Sequence, residues 1–443
     1  MKKKKLSPYI IIIISFAAMI LIGSFLLMLP FATKEDYNLS YIDSLFTATS
    51  AVCVTGLVSV ESIASTYTLF GQITIYLLIQ IGGLGFVTLV LFAFYLLGMK
   101  IGISDRYLLK EALNQNSVSG LVRLLKSTVM ISFSVQIVGA LINFIVFSQE
   151  FAISKAIWVS IFHAASSFNN AGFDILGTTS LMAYKDNILL TLNTSFLIIA
   201  GGIGFIVIYD LLKHKKWSKL SIHSKIVLKT TLILLIAGTI LFKITEGSNM
   251  TWLQAFFQST TARTAGFSTF DWRLATNAGA LIVCVLMYVG ASPASTGGGI
   301  KTTTLYTLYK YVTSFARGKK TLTHQREISK SSIAKAFALI ILSLSFIITI
   351  ILFITFIEKF NDVGLTQSEY YQRIVFEVFS AFGTVGNSMG ITQGLHWISK
   401  LLITLTMLFG RLGPITVISV LNKSWNVENE GQIKYLEEKI IIG

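Results

Sequence analysis

The chain alternates between long stretches that carry no charge and shorter ones rich in Lys and Arg. Tyr9–Leu29, Tyr67–Met99, Ser127–Gln149, Asn187–Tyr209, Leu274–Ile300 and Ala336–Ile357 contain no Asp, Glu, Lys or Arg. Each is long enough to cross a hydrocarbon core, which takes about 20 helical residues. Two weaker stretches complete the set: Ile226–Phe242, with Lys229 near its start, and Leu401–Leu421, with Arg411 near its middle. The pattern predicts an all-α membrane protein with eight crossings. Tyr9–Leu29 follows the basic start Lys2–Lys5, as a secretory signal would. It is too long for a typical signal core and has no small-residue cleavage site after it, so it reads as a retained helix.

Between paired crossings lie four short segments too polar to span. All fit one template: Phe, four residues to Ser or Thr, six more to Gly. They are Phe46/Ser50/Gly56, Phe162/Ser166/Gly172, Phe256/Thr260/Gly266 and Phe376/Ser380/Gly386, without a gap in any copy. Such self-similarity marks repeated units. The predicted architecture is four tandem repeats of crossing, re-entrant segment and crossing: 1–99, 100–212, 213–313 and 314–443. An even number of crossings per repeat points all four the same way, so they can surround one pore. An ion-coupled secondary carrier is the alternative. It favours inverted repeats and ionisable residues within the spans, which are scarce here.

The first half of each segment reads as a pore helix, Asp43–Ala51 and Trp158–Ser167 being the clearest. The second half reads as extended chain ending at Gly, over Val52–Gly56, Phe168–Gly172, Ala262–Gly266 and Phe382–Gly386, with Val54-Thr55-Gly56, Asn170-Ala171-Gly172, Thr264-Ala265-Gly266 and Thr384-Val385-Gly386 at its end. Non-helical backbone at membrane depth is tolerated where it faces water or is buried in protein. Facing water, its carbonyls can replace the hydration shell of a cation. These twelve residues are therefore the expected ion-binding filter. Arg263, within the third segment, is expected behind the filter with a carboxylate partner, Glu377 or Asp43. Asn169 and Asn170 could brace the second segment or cap a turn.

The second crossings carry a further motif. Gly82-Gly83-Leu84-Gly85-Phe86 and Gly201-Gly202-Ile203-Gly204-Phe205 match closely, and Gly410-Arg411-Leu412-Gly413-Pro414 places Arg411 in the same frame. Glycines here serve either close helix packing or a hinge. A central Arg is costly and usually faces the interior. It is expected to act as a barrier below the filter, or else to form a buried ion pair with Glu377. In the third repeat Gly290, Ser292, Pro293, Ser295, Thr296, Gly297, Gly298, Gly299 and Lys301 break the apolar span. This predicts a mobile intramembrane loop over 290–301 that acts as a gate. No Gly-Lys-[Ser/Thr] occurs there, so it is not a phosphate-binding loop.

Composition changes the picture in one respect. Of all residues 13% are charged and the net charge is +15, against about 25% charged in soluble domains. Lys and Arg gather in alternate segments, 2–5, 100–126, 213–229, 301–335 and the C-terminal tail. This is the positive-inside pattern, with both termini in the cytoplasm, and it argues against nucleic-acid binding. Cys53 and Cys284 are the only cysteines, and the five His are scattered without metal-ligand spacing. An enzyme is not indicated.

The four template glycines, the repeats and the chain length resemble the Trk/Ktr/HKT superfamily of potassium transporters, closest to the bacterial KtrB/KtrD-type membrane subunit. With the first span starting at Tyr9, the extra N-terminal helix pair of Trk-type members is not expected. In that superfamily Ser at the first glycine goes with Na⁺ preference, so Gly56 implies K⁺ as the transported ion. The resemblance further implies Na⁺ as a candidate activator and no organic cofactor. It also implies a plasma-membrane homodimer in contact with lipid and a cytosolic nucleotide-binding regulatory ring of the KtrA/KtrC type. The apolar end Ile440–Gly443 is a candidate for the dimer interface.

Overall fold

A computed structural model describes residues 7–34, 39–112, 120–358, 364–414 and 416. Lys2–Lys5 and the end at Ile440–Gly443 lie outside the described residues. One order of helices recurs along the chain. First come α1 (Pro8–Leu27), α2 (Tyr41–Val52), α3 (Leu69–Leu84) and α4 (Phe86–Leu96). Next are α5 (Leu121–Phe147), α6 (Ile153–Phe168), α7 (Ile188–Gly202) and α8 (Phe205–His214). Then follow α9 (Ile222–Glu246), α10 (Trp252–Thr261), α11 (Asn277–Tyr288) and α12 (Thr302–Ala316). Last are α13 (Lys330–Ile357), α14 (Gln367–Gly383) and α15 (Trp397–Leu412). Among the described residues the strands are confined to a hairpin, β1 (Leu322–Thr323) and β2 (Arg326–Glu327).

Polar N-caps set the helix starts. Ser40, Thr68, Asn187, Ser221, Thr276 and Ser329 each accept a hydrogen bond from a backbone N–H of the first turn of α2, α3, α7, α9, α11 and α13. Thr251 with Gln254 and Thr366 with Glu369 form reciprocal capping boxes at α10 and α14. Each such cap satisfies a donor that would otherwise be orphaned.

Among the described residues four helices, α1, α5, α9 and α13, are long and apolar enough to cross a membrane unbroken. The stretches Tyr67–Met99 and Asn187–Tyr209, expected to be continuous, are not. α3 and α4 meet at 92°, and α7 and α8 at 97°. The break falls at Gly85 (φ 84°) and Gly204 (φ 92°), backbone conformations open chiefly to glycine. The third glycine of the motif is therefore the bend. Two expected repeat boundaries, 212/213 and 313/314, fall inside helices, because α8 runs on to His214 and α12 to Ala316.

The first glycine of the motif has a different task. A Cβ on Gly82, Gly201 or Gly410 would run into the carbonyl oxygen of Val52, Phe168 or Phe382, the residue four before each template glycine. The helices α3, α7 and α15 thus lie directly against the ends of α2, α6 and α14. Outward faces remain apolar, as at Ile137, Ile233 and Leu352, whereas Ser, Thr, Asn and Gln concentrate inside. That distribution suits a protein surrounded by hydrocarbon.

Overpacking costs about 1–3 kcal/mol. Gly82→Val or Gly201→Val should lower the melting temperature of the detergent-solubilised protein by several degrees. Gly394→Ala, where nothing lies within 4 Å, should leave it unchanged. Equal melting of all three variants would show that the close approach is dispensable.

Candidate functional site

Each of the four short helices ends in a turn rather than in extended chain, which corrects the sequence expectation. Val54, Asn170 and Thr384 take positive φ (51°, 57° and 48°), two residues before their glycines. Left-handed backbone costs about 1 kcal/mol or more at a non-glycine residue. It allows the next N–H to fold back on the helix end. Thr55 N donates to Ser50 O (2.8 Å), Ala171 N to Ser166 O (2.8 Å) and Val385 N to Ser380 O (2.9 Å). In two copies the template serine does more: Ser50 Oγ accepts from Gly56 N and Ser380 Oγ from Gly386 N, both at 3.0 Å. The spacing of six residues from Ser to Gly is the length of that turn. The third copy differs. Thr264 keeps negative φ, Ala265 and Gly266 donate to Thr261 O, and Thr260 Oγ1 donates to Phe256 O.

The structure brings the four turns together in a closed ring. A Cβ on Gly56 would strike the Ala171 carbonyl, one on Gly172 that of Ala265, one on Gly266 that of Val385, and one on Gly386 that of Thr55. Each glycine thus makes room for the carbonyl that precedes the next glycine around the ring. All four also line one cavity of about 190 Å³, together with Glu61, Asp174 and Asp271. Asp271 is paired with Arg273 at 2.7 Å. Asp174, half-buried in the loop after the second turn, accepts from Leu176 N at 3.0 Å. Burial pushes its carboxyl up to about 6 against that hydrogen bond. Among the described residues no group of three His, Cys, Asp or Glu is placed to hold a metal ion.

The helix break between α11 and α12 forms a loop packed against the other side of the ring. Ser292 N donates to Gly202 O (3.0 Å) and Thr296 N to Gly201 O (3.2 Å). The Asn170 amide hydrogen-bonds Thr296 Oγ1 at 2.9 Å, and Gly298 N donates to Thr384 Oγ1 at 3.0 Å. The loop is also cross-braced internally. Ser292 and Thr302 share a hydroxyl bond of 2.9 Å, Ser295 Oγ donates to Ser292 O, and Lys301 Nζ donates to Gly297 O (2.7 Å) and Gly298 O (3.3 Å). Pro293 O and Ala294 O lie against Gly204, and a Cβ on Gly290 would meet Gly298 O and Gly299.

Arg411 joins this loop to the first repeat. Its Nη1 donates to Thr296 O, and its Nη2 to Gly82 O (2.5 Å) and Gly83 O (3.2 Å). It does not pair with Glu377, whose buried carboxylate accepts from Ser388 Oγ (2.8 Å) and Thr392 Oγ1. Nor does Arg263 find either expected partner. Asp43 is held by Lys400 at 2.9 Å, and Arg263 Nε and Nη1, fully enclosed, have no hydrogen-bond partner among the described residues. Asn169 is tied by its amide to Gln80 (3.2 Å) and Ala165 O (2.9 Å), and Gln80 to Gln136 (2.6 Å). Gln80 did not stand out in the sequence, since its partners Asn169 and Gln136 lie far away along the chain, and neither did Asp174.

Removing the guanidinium should free the loop. In Arg411→Ala, amide hydrogen exchange over 296–300 should quicken relative to wild type while exchange in α5 stays the same. Unchanged exchange over the loop would mean that Arg411 does not hold it.

A family model described as TrkH, cation transport protein, matches residues 3–427. The potassium/sodium uptake protein NtpJ of Enterococcus hirae is 41% identical over 451 residues, covering 100% of this chain and 98% of that protein. The Ktr system potassium uptake protein B of Bacillus subtilis is 38% identical over 450 residues, covering 99% and 97%. The crystal structure of the potassium transporter TrkH from Vibrio parahaemolyticus superposes with a TM-score of 0.73 at 17% identity, over 96% of this chain and 87% of that one, a likeness of fold. The chain belongs to the TrkH family of cation transport proteins.

Proposed function

We propose that this chain is a channel-like potassium uptake transporter of the plasma membrane. One observation carries the reading: four pre-glycine carbonyls, from Thr55, Ala171, Ala265 and Val385, gather at the junctions of one closed ring. Oxygens of this kind can substitute for the water around a weakly hydrated cation. Val54, Asn170, Thr264 and Thr384 would line the layer behind them. The choice of K⁺ is supported by the names of the relatives, a potassium/sodium uptake protein and a potassium uptake protein. Na⁺ is then either a second cargo or an activator.

In this reading the loop 290–301 is the gate. It occupies the space under the ring, and Arg411 adds a positive charge that a passing cation must overcome. The gate opens when the loop withdraws, which requires a ligand or partner that favours the open arrangement. A cytosolic nucleotide-binding ring of the KtrA/KtrC type fits that role, with the chain as a homodimer and both termini in the cytoplasm. The coupled-carrier alternative would need a titratable group free to exchange protons or ions, whereas Glu377 is already engaged by two hydroxyls.

Two measurements test this. In reconstituted vesicles, Gly56→Ser should reduce the K⁺-over-Na⁺ discrimination of uptake by about tenfold, since one good oxygen contact is worth about 1.4 kcal/mol or more. Identical discrimination in both proteins would sink the ring as the selective element. Arg411→Ala and a shortened 290–301 loop should both raise flux while leaving discrimination intact.

External pH offers a separate check on the mouth. Asp174 titrates near 6 and is charged only above that value. Uptake should fall as external pH drops through about 6, as the charge that attracts cations is lost. Asp174→Asn should remove this inflection and lower uptake at pH 7.

A further inference from the structure

α12 begins at Thr302, immediately after Lys301, and runs for 15 residues away from the loop, a length of about 22 Å. Its far end and β1 border an open, solvent-facing cavity of about 480 Å³ lined by Lys310, Thr313, Ser314, Arg317, Lys319, Lys320 and Leu322. Four of these seven carry positive charge and none is acidic. None of the four is in an ion pair among the described residues. The acid in the adjacent hairpin, Glu327, stands across from Leu322 and does not line the cavity.

Cations at a helix C-terminus often serve the exposed carbonyls of its last turn. Here two of those carbonyls, Ser314 O and Phe315 O, are already taken by backbone. Arg317 N and Lys319 N donate to Ser314 O, and Gly318 N donates to Phe315 O, at 2.9–3.2 Å. The cationic side chains are left for something else. Beside them Tyr309 (64% exposed), Val312 (56%) and Phe315 (74%) project from α12. An aromatic and aliphatic surface next to Lys and Arg is the composition of a membrane–water interface.

We propose that this corner binds the phosphate-bearing headgroup of an anionic phospholipid, and that α12 links the bound headgroup to the loop 290–301. The lysines and Arg317 surround the phosphate, while Tyr309, Val312, Phe315 and Leu322 meet the glycerol and upper acyl chain. α12 packs against α9 and α13, so a headgroup that anchors its far end limits how the helix can shift. Because Lys301 precedes the helix and donates to Gly297 O and Gly298 O, that limit is passed to the loop. The coupling rests on the reading of the loop as a gate; the binding site does not.

The test compares the full chain with the variant K310Q/R317Q/K319Q/K320Q, and with K213Q/K215Q/K216Q/K219Q, which removes the same charge from another basic segment. Bound phosphatidylglycerol is measured by native mass spectrometry after purification from phosphatidylcholine vesicles with and without phosphatidylglycerol. The first variant should bind it at least about tenfold more weakly, at about 1 kcal/mol per basic residue, and the second should stay close to wild type. Phosphatidylglycerol should also slow amide exchange over 297–301 in wild type and in the second variant only. Equal loss of lipid in both variants would reduce the site to general surface attraction and overturn it. Displacement of the lipid from wild type by inorganic phosphate would overturn the choice of lipid in favour of a soluble anion. Failure of wild type to carry K⁺ would refute the transport reading while leaving the binding result intact.

Discussion

Backbone peptide groups that leave a helix inside a packed protein must find partners there, and this chain makes four such departures around one ring. The structure meets the need locally and then globally. Locally, each turn folds an N–H back onto the end of its own short helix, with Ser50 and Ser380 supplying an extra acceptor. Globally, the remaining carbonyls are accommodated by close approach, and only residues without a Cβ allow it. Gly82, Gly201 and Gly410 bring neighbouring helices against the carbonyls of Val52, Phe168 and Phe382, and the ring glycines admit the carbonyls of the next repeat.

The same requirement explains the company kept by the cations at the loop. Arg411 and Lys301 are satisfied by backbone oxygens that the broken helices expose, not by carboxylates. A neutral carbonyl can be left without leaving an isolated negative charge behind, so such a contact is easier to open than a buried ion pair. The loop is held by many bonds of modest strength from different repeats, including Asn170, Thr384 and, through Arg411, Gly82 and Gly83.

Much of this was legible in the sequence because it depends on short-range spacing. The Phe–Ser–Gly template located all four turns, the apolar runs located the long helices, and the density of Gly, Ser and Pro located the loop. What could not be read were relations between distant segments. The apolar run at Tyr67–Met99 looks like one helix by hydropathy. The right-angle bend at Gly85 follows from a single φ, which composition does not encode. Arg263 and Arg411 both invited carboxylate partners. Glu377 and Asp43 turned out to be engaged by Ser388, Thr392 and Lys400. The third turn carries Thr260 where the other three have Ser, and a template that accepts either residue hid the difference.

The ring is built from four non-identical segments of one polypeptide, and that has an evolutionary consequence. In an assembly of four identical subunits, any substitution at a ring position appears four times, and a change harmful in one quadrant is harmful in all. Here each quadrant can vary alone. The third turn lacks the left-handed residue of the other three, and among the described residues the helix pair opened into a loop is the third. Joining the four segments in one polypeptide thus lets one quadrant change its backbone while the other three keep the left-handed turn.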